Sequence, residues 1–87
     1  SDVKFLPKAK QAPLITLQRQ LAELIAGLLR ELNPHLSDAL YKPYTMMLVG
    51  MLNWTDFWYS SSGAVKPQEL CDRMARLFLN GFLAEKG

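Results

Sequence analysis

Few side chains in this 87-residue sequence are of the types that make or break bonds. The one histidine, His35, sits in the turn-like run Asn33-Pro34-His35-Leu36-Ser37, followed directly by Asp38. Serine, histidine and aspartate are the parts of a nucleophilic triad, but close neighbours in one tight turn do not adopt triad geometry. His35 therefore reads as a surface turn residue. A zinc site needs three or four ligands, which His35 and the single, distant Cys71 do not supply. The five glycines stand apart, so no loop can cradle phosphate. Glu69 and Asp72 have helical spacing but belong to a charged outer face. No constellation for catalysis, metal or cofactor emerges. What remains is a dense set of apolar and aromatic side chains, whose chemistry is association.

Three helical segments separated by breakers must position them. The first follows Pro13 and runs from Leu14 to about Leu32. Leu14, Leu17, Leu21, Leu24, Leu28 and Leu32 recur at steps of three and four, and Ile15, Ile25 and Leu29 widen the stripe. Pro34 ends it. The second follows Ser37, a suitable N-cap, and reaches about Tyr59, with Pro43 either kinking it or marking its true start. The third opens at Pro67, suited to a first helical position, and carries Glu69 in its first turn. Its apolar face takes Leu70, Met74, Leu77, Phe78, Gly81 and Phe82, joined by Cys71, and it ends near Ala84. No strand-like alternation of any length occurs, so the fold class is all-α, with three antiparallel helices.

The second segment is the informative one. From Thr45 it reads TMMLVGMLNWTDFWY, apolar all round except for Asn53, Thr55 and Asp56. A helix without a polar face cannot rest on a protein surface. One side needs cover from its own chain and another from something else. Trp54, Phe57, Trp58 and Tyr59 cluster at its end, as core aromatics or as the anchors of an interface. Gly50 and Gly81 each cost a helix about 1 kcal/mol relative to alanine, which suggests close approach of another helix. Asn53 among apolar neighbours reads as a buried amide, one that fixes the register of a helical pair or reaches a backbone carbonyl. The four methionines fill core or line an adaptable pocket.

Composition bounds the rest. The net charge is +2, with no basic stripe for nucleic acid. Lys4, Lys8 and Lys10 read as a solvated, frayed end. The lone cysteine fits a reducing cytoplasm, and no secretory signal precedes the helices. The longest apolar stretch, Thr45 to Tyr59, falls short of the roughly 20 residues that span a bilayer.

The pieces GMLNWTDFW, Pro67-Gln68-Glu69 and RLFLNGF, in that order and spacing, resemble the end of the ligand-binding domain of TetR-family transcriptional regulators. LQRQLAELIAGLLRELNP is similar to the long helix that precedes them in a subset of the family. The resemblance implies that the last two helices pair with those of a second subunit as a four-helix bundle. It further implies a cavity for a small, often apolar effector, and a separate N-terminal helix-turn-helix domain that binds operator DNA. On that reading residues 1–87 are one partial domain, a homodimer-forming and effector-binding region whose DNA-binding half lies outside this sequence. Lys66 stands where such proteins often have a capping serine, and the loop SSSGAVK replaces a common Arg-Pro-Asp-Gly run.

The expected dimer interface draws on Met47, Met51, Trp54 and Trp58 with Leu70, Met74, Leu77 and Gly81. The expected remnant of the effector pocket lies beside Leu21, Leu24 and Leu28, against the opposite side of the second helix. The rival reading is a free-standing adaptor whose apolar groove takes an amphipathic helix from another protein.

Overall fold

The computed structural model describes residues 7–87, and these form three helices with no strand among them. Helix α1 spans Lys8–Leu32, α2 spans Tyr41–Trp58 and α3 spans Pro67–Phe82. A single 3₁₀ turn, Asp38–Leu40, leads into α2. The fold is all-α, as the sequence requires.

Helix α1 begins six residues before the start expected from Pro13, which lies inside it. The Lys10 and Gln11 amides donate to the Pro7 carbonyl at 2.9 and 3.1 Å, closing the first turn ahead of the proline. So near the helix start, Pro13 deprives only the exposed Ala9 carbonyl of a donor, and water can replace it. Lys8 and Lys10 are accordingly helical rather than frayed, while Lys4 lies outside the described residues. At the other end the Asn33 amide reaches the Leu29 carbonyl at 2.9 Å before Pro34 halts the helix.

Pro43 falls in the first turn of α2, where amides have no helical acceptor to lose. Ser37 precedes the 3₁₀ turn but makes no capping bond; its hydroxyl donates instead to the Gly87 carbonyl at 2.8 Å. Helix α3 opens at Pro67, with Lys66 contributing no side-chain cap. It closes at Phe82 rather than Ala84. The Ala84 and Glu85 amides turn back to Gly81 and Phe82, and the Phe82 carbonyl also accepts the Asn33 side-chain amide.

The core lies where the end of α1, the interhelical turn, the start of α2 and the end of α3 meet. Ala26, Leu29, Leu36, Tyr41 and Phe82 are buried there, with Ile25, Leu40, Tyr44 and Phe78 packed against them. Phe82 stacks on Phe78 and meets Tyr44 edge-on, with centroids 5.6 and 5.2 Å apart. The Arg30 guanidinium lies 4.7 Å over the Tyr41 ring.

A small polar network stitches this corner. Asn33, 2% exposed, donates through Nδ2 to the Phe82 and Glu85 carbonyls at 2.8 and 3.0 Å. Its Oδ1 accepts the His35 amide at 3.1 Å, and its own carbonyl accepts the Tyr41 hydroxyl at 2.6 Å. Buried Thr45 donates to the Tyr41 carbonyl at 2.8 Å. No buried side-chain polar atom among the described residues lacks a partner.

Away from this corner the molecule is open. Its extents are 41 × 38 × 15 Å, a slab little more than one helix thick. The radius of gyration is 15.2 Å, against about 12 Å for a compact chain of this length. Accessible surface amounts to 6808 Å², roughly 1,600 Å² more than the ~5,200 Å² expected of a folded monomer of 9.9 kDa.

An exposed apolar surface and two grooves

Large apolar side chains are prominent on this open surface. Helix α2 packs one side on α1 and meets α3 mainly through its first turns, so neighbours leave much of it uncovered. Phe57 is 78% exposed and Trp54 62%, and Met46, Met47, Leu52 and Trp58 are exposed as well. On α3 Leu77 is 70% exposed. Trp54 and Phe57 lean on each other at 5.0 Å between centroids, a pair that stiffens the patch without covering it. Apolar area left in water forgoes about 25 cal/mol per Å², so a face this rich in Trp, Phe and Met is unfavourable unless something covers it.

Of the residues expected at a dimer interface, Met47, Trp54, Trp58, Leu77 and Gly81 are exposed, and Met51, Leu70 and Met74 are half-buried. Met47, Met51 and Gly81 are brought together along a shallow groove of about 260 Å³ between α2 and α3. Tyr44, Phe78, Phe82 and Glu85 line the rest of it. There the Tyr44 hydroxyl donates to the Glu85 carboxylate, which raises the Tyr44 pKa above 10.0, aided by burial and by the charge of Glu85. A Cβ built on Gly50 or on Gly81 meets nothing within 4 Å. Neither glycine therefore serves a close approach within this chain.

Two expectations need correction. Asn53 is exposed, and the buried amide is Asn33, whose place at a helix end gave no sign of it. Cys71 is exposed rather than part of the packed stripe, because α3 is buried only at its far end, around Phe82. His35 is an exposed turn residue, as its place in the tight turn implies: its amide donates to Asn33 Oδ1, while the neighbouring Ser37 holds Gly87 and Asp38 lies 3.6 Å from Arg30. Among the described residues no group of three His, Cys, Asp or Glu is placed to hold a metal, and no helix is long and apolar enough to cross a membrane.

A larger groove, about 580 Å³, runs between α1 and α2. The ion pair of Glu23 with Lys42, at 3.3 Å, lies toward its turn end, and Ile15 and Asn53 line the opposite end, as antiparallel packing requires. Of the leucines expected to bind an effector, Leu21 lines this groove. Leu24 and Leu28 are exposed but lie outside its lining, on the outer stripe of α1 with Leu17 and Leu32. The groove residues the leucine pattern missed include Ile15, Ala22, Ile25, Met46 and Val49 along its apolar wall, and the cations Arg19 and Lys42. Ile15 and Ile25 were visible as widening the stripe; the two cations carried no signal.

Among known proteins, the family model described as the tetracyclin repressor-like C-terminal domain matches residues 1–82. No curated protein and no solved structure matches the chain.

Proposed function

Because the chain belongs to the family of tetracyclin repressor-like C-terminal domains, we propose that it is the dimer-forming and effector-sensing part of a TetR-type transcriptional repressor. It works in the cytoplasm, and it acts by association, with no bond chemistry of its own. The observation that carries this reading is the exposed apolar side of α2, with Trp54, Phe57 and Trp58 at its end. Two copies placed α2 and α3 against α2 and α3 would form a four-helix bundle and cover those rings. Stable interfaces bury about 800 Å² or more per partner, and the exposed Met47, Leu52, Trp54, Phe57, Trp58 and Leu77 lie on the two helices that would supply that area. The aromatic and methionine content of the patch is what interface centres favour.

In the intact regulator the same dimer would hold two DNA-reading domains at a spacing that fits operator DNA. A small apolar molecule bound among the helices would favour a different spacing, and DNA would be released. Such coupling requires the effector to bind one arrangement more tightly than the other.

Trp54→Glu tests the assignment. A carboxylate at the centre of a desolvated patch should split the dimer and leave a folded monomer, read as a halved mass in light scattering with helical circular dichroism retained. A mass that the substitution leaves unchanged would sink the interface as placed here. A monomeric parent chain that captures amphipathic helices would favour the adaptor instead.

A further inference from the structure

Resting on the effector-sensing reading, we propose that the groove between α1 and α2 takes an amphiphile with an anionic headgroup, such as a medium- or long-chain carboxylate. At about 580 Å³ the groove lies within the roughly 300–1,000 Å³ of small-molecule sites. A partner helix, some 10–12 Å across, would fill that volume in roughly one or two turns, too few to anchor it. The walls are apolar where a chain would lie: Ile15, Leu21, Ala22, Ile25, Met46 and Val49. Such walls make a poor home for a compact polar solute, yet each methylene laid against them is favourable.

The polar groups then choose the headgroup. Gln18, Arg19, Lys42 and Asn53 line the groove, and no carboxylate does. Lys42 is held at 3.3 Å by Glu23, which stands outside the lining. Arg19 has no ion-pair partner among the described residues. Counting Glu23, the charge facing a ligand is positive. The planar fork of Arg19 suits a carboxylate, with Gln18 and Asn53 as further donors. A cationic amphiphile would meet like charge, and a neutral one would leave the guanidinium unused.

The experiment is calorimetric titration of the 87-residue chain with dodecanoate, dodecanol and dodecylammonium, each below its micelle concentration. Dodecanoate should bind once per chain and at least several-fold tighter than dodecanol, with dodecylammonium weakest. Decanoate should bind roughly tenfold more weakly than dodecanoate, for two methylenes lost. Arg19→Gln should weaken dodecanoate about three- to tenfold and leave dodecanol unchanged. Met46→Glu, placing a carboxylate in the groove, should weaken dodecanoate more than dodecanol. Equal affinities for the three headgroups, or an unaffected Arg19→Gln variant, would overturn the headgroup assignment while leaving effector sensing intact. Absence of binding by all three probes would overturn the groove as an amphiphile site.

Discussion

Replacing Asn33 by leucine separates the packed corner of this molecule from its open surfaces. The side chain is 2% exposed and supplies three hydrogen bonds, two donated to Phe82 and Glu85 carbonyls and one accepted from the His35 amide. Leucine keeps the branched framework, with bulkier methyl ends, and removes all three. A lost bond costs about 0.5–1.5 kcal/mol net, and a buried group left without a partner about 1–3 kcal/mol. Water can reach the partly buried Glu85 and His35 groups, and the Phe82 carbonyl keeps the Glu85 amide at 3.1 Å. The net loss should therefore be about 2–4 kcal/mol. For a chain of this size that lowers Tm by on the order of 10–25 °C. The assay is thermal unfolding followed by circular dichroism at one fixed chain concentration, because association would otherwise shift Tm. Asn53→Leu is the matched control: Asn53 is exposed, so its replacement should stay within about 0.5 kcal/mol. Comparable Tm values for the two variants, or a larger loss at Asn53, would refute the assignment of the buried amide.

Two further substitutions probe the surface. Open space around Gly50 means that Gly50→Ala should stabilise the monomeric Trp54→Glu background by up to about 1 kcal/mol through helix propensity. In the parent chain it should instead weaken self-association, as a methyl group intrudes between subunits; denaturant melts and dilution series in both backgrounds compare the two, and an equal gain in each takes Gly50 out of the interface. Tyr44 should ionise above 10.0 because it donates to the Glu85 carboxylate. Its folded pKa exceeds the unfolded one, so the linked stability is present below pH 10 and fades as pH climbs through the raised value. In ultraviolet titration Tyr44→Phe should remove a step above pH 10, and Glu85→Gln should move that step down toward the ordinary range; an unmoved step after Glu85→Gln contradicts the contact.

The three helices were legible because their boundaries carry local chemistry. Pro34 and the Ser60–Gly63 run break the chain, and Pro67 fits a first helical position without needing any tertiary contact. Pro13 misled for the same reason: it resembles a start, yet this close to a helix end its missing amide leaves only an exposed carbonyl unserved. The apolar rod of α2 was legible as a thing needing cover, and the structure leaves Trp54, Phe57 and Trp58 in the open. Which amide was buried was not legible. Asn53 sits among apolar residues in the sequence, but position along a helix does not say which side meets a neighbour. Asn33 becomes buried only because the end of α3, some fifty residues later, folds back over it. The groove likewise depends on how α1 crosses α2. Leucine periodicity marks an apolar stripe on α1 but not the part of it that faces α2, so Leu21 lines the groove and Leu24 and Leu28 do not.

Sedimentation equilibrium of the unaltered chain across a wide concentration range addresses the sheltering of α2 most directly. The account predicts a species of twice the 9.9 kDa chain mass that persists to low micromolar concentration, with the tryptophan fluorescence of Trp54 and Trp58 shifted to the blue as water leaves them. A single 9.9 kDa species at every concentration, helical and soluble with both tryptophans wet, would contradict it.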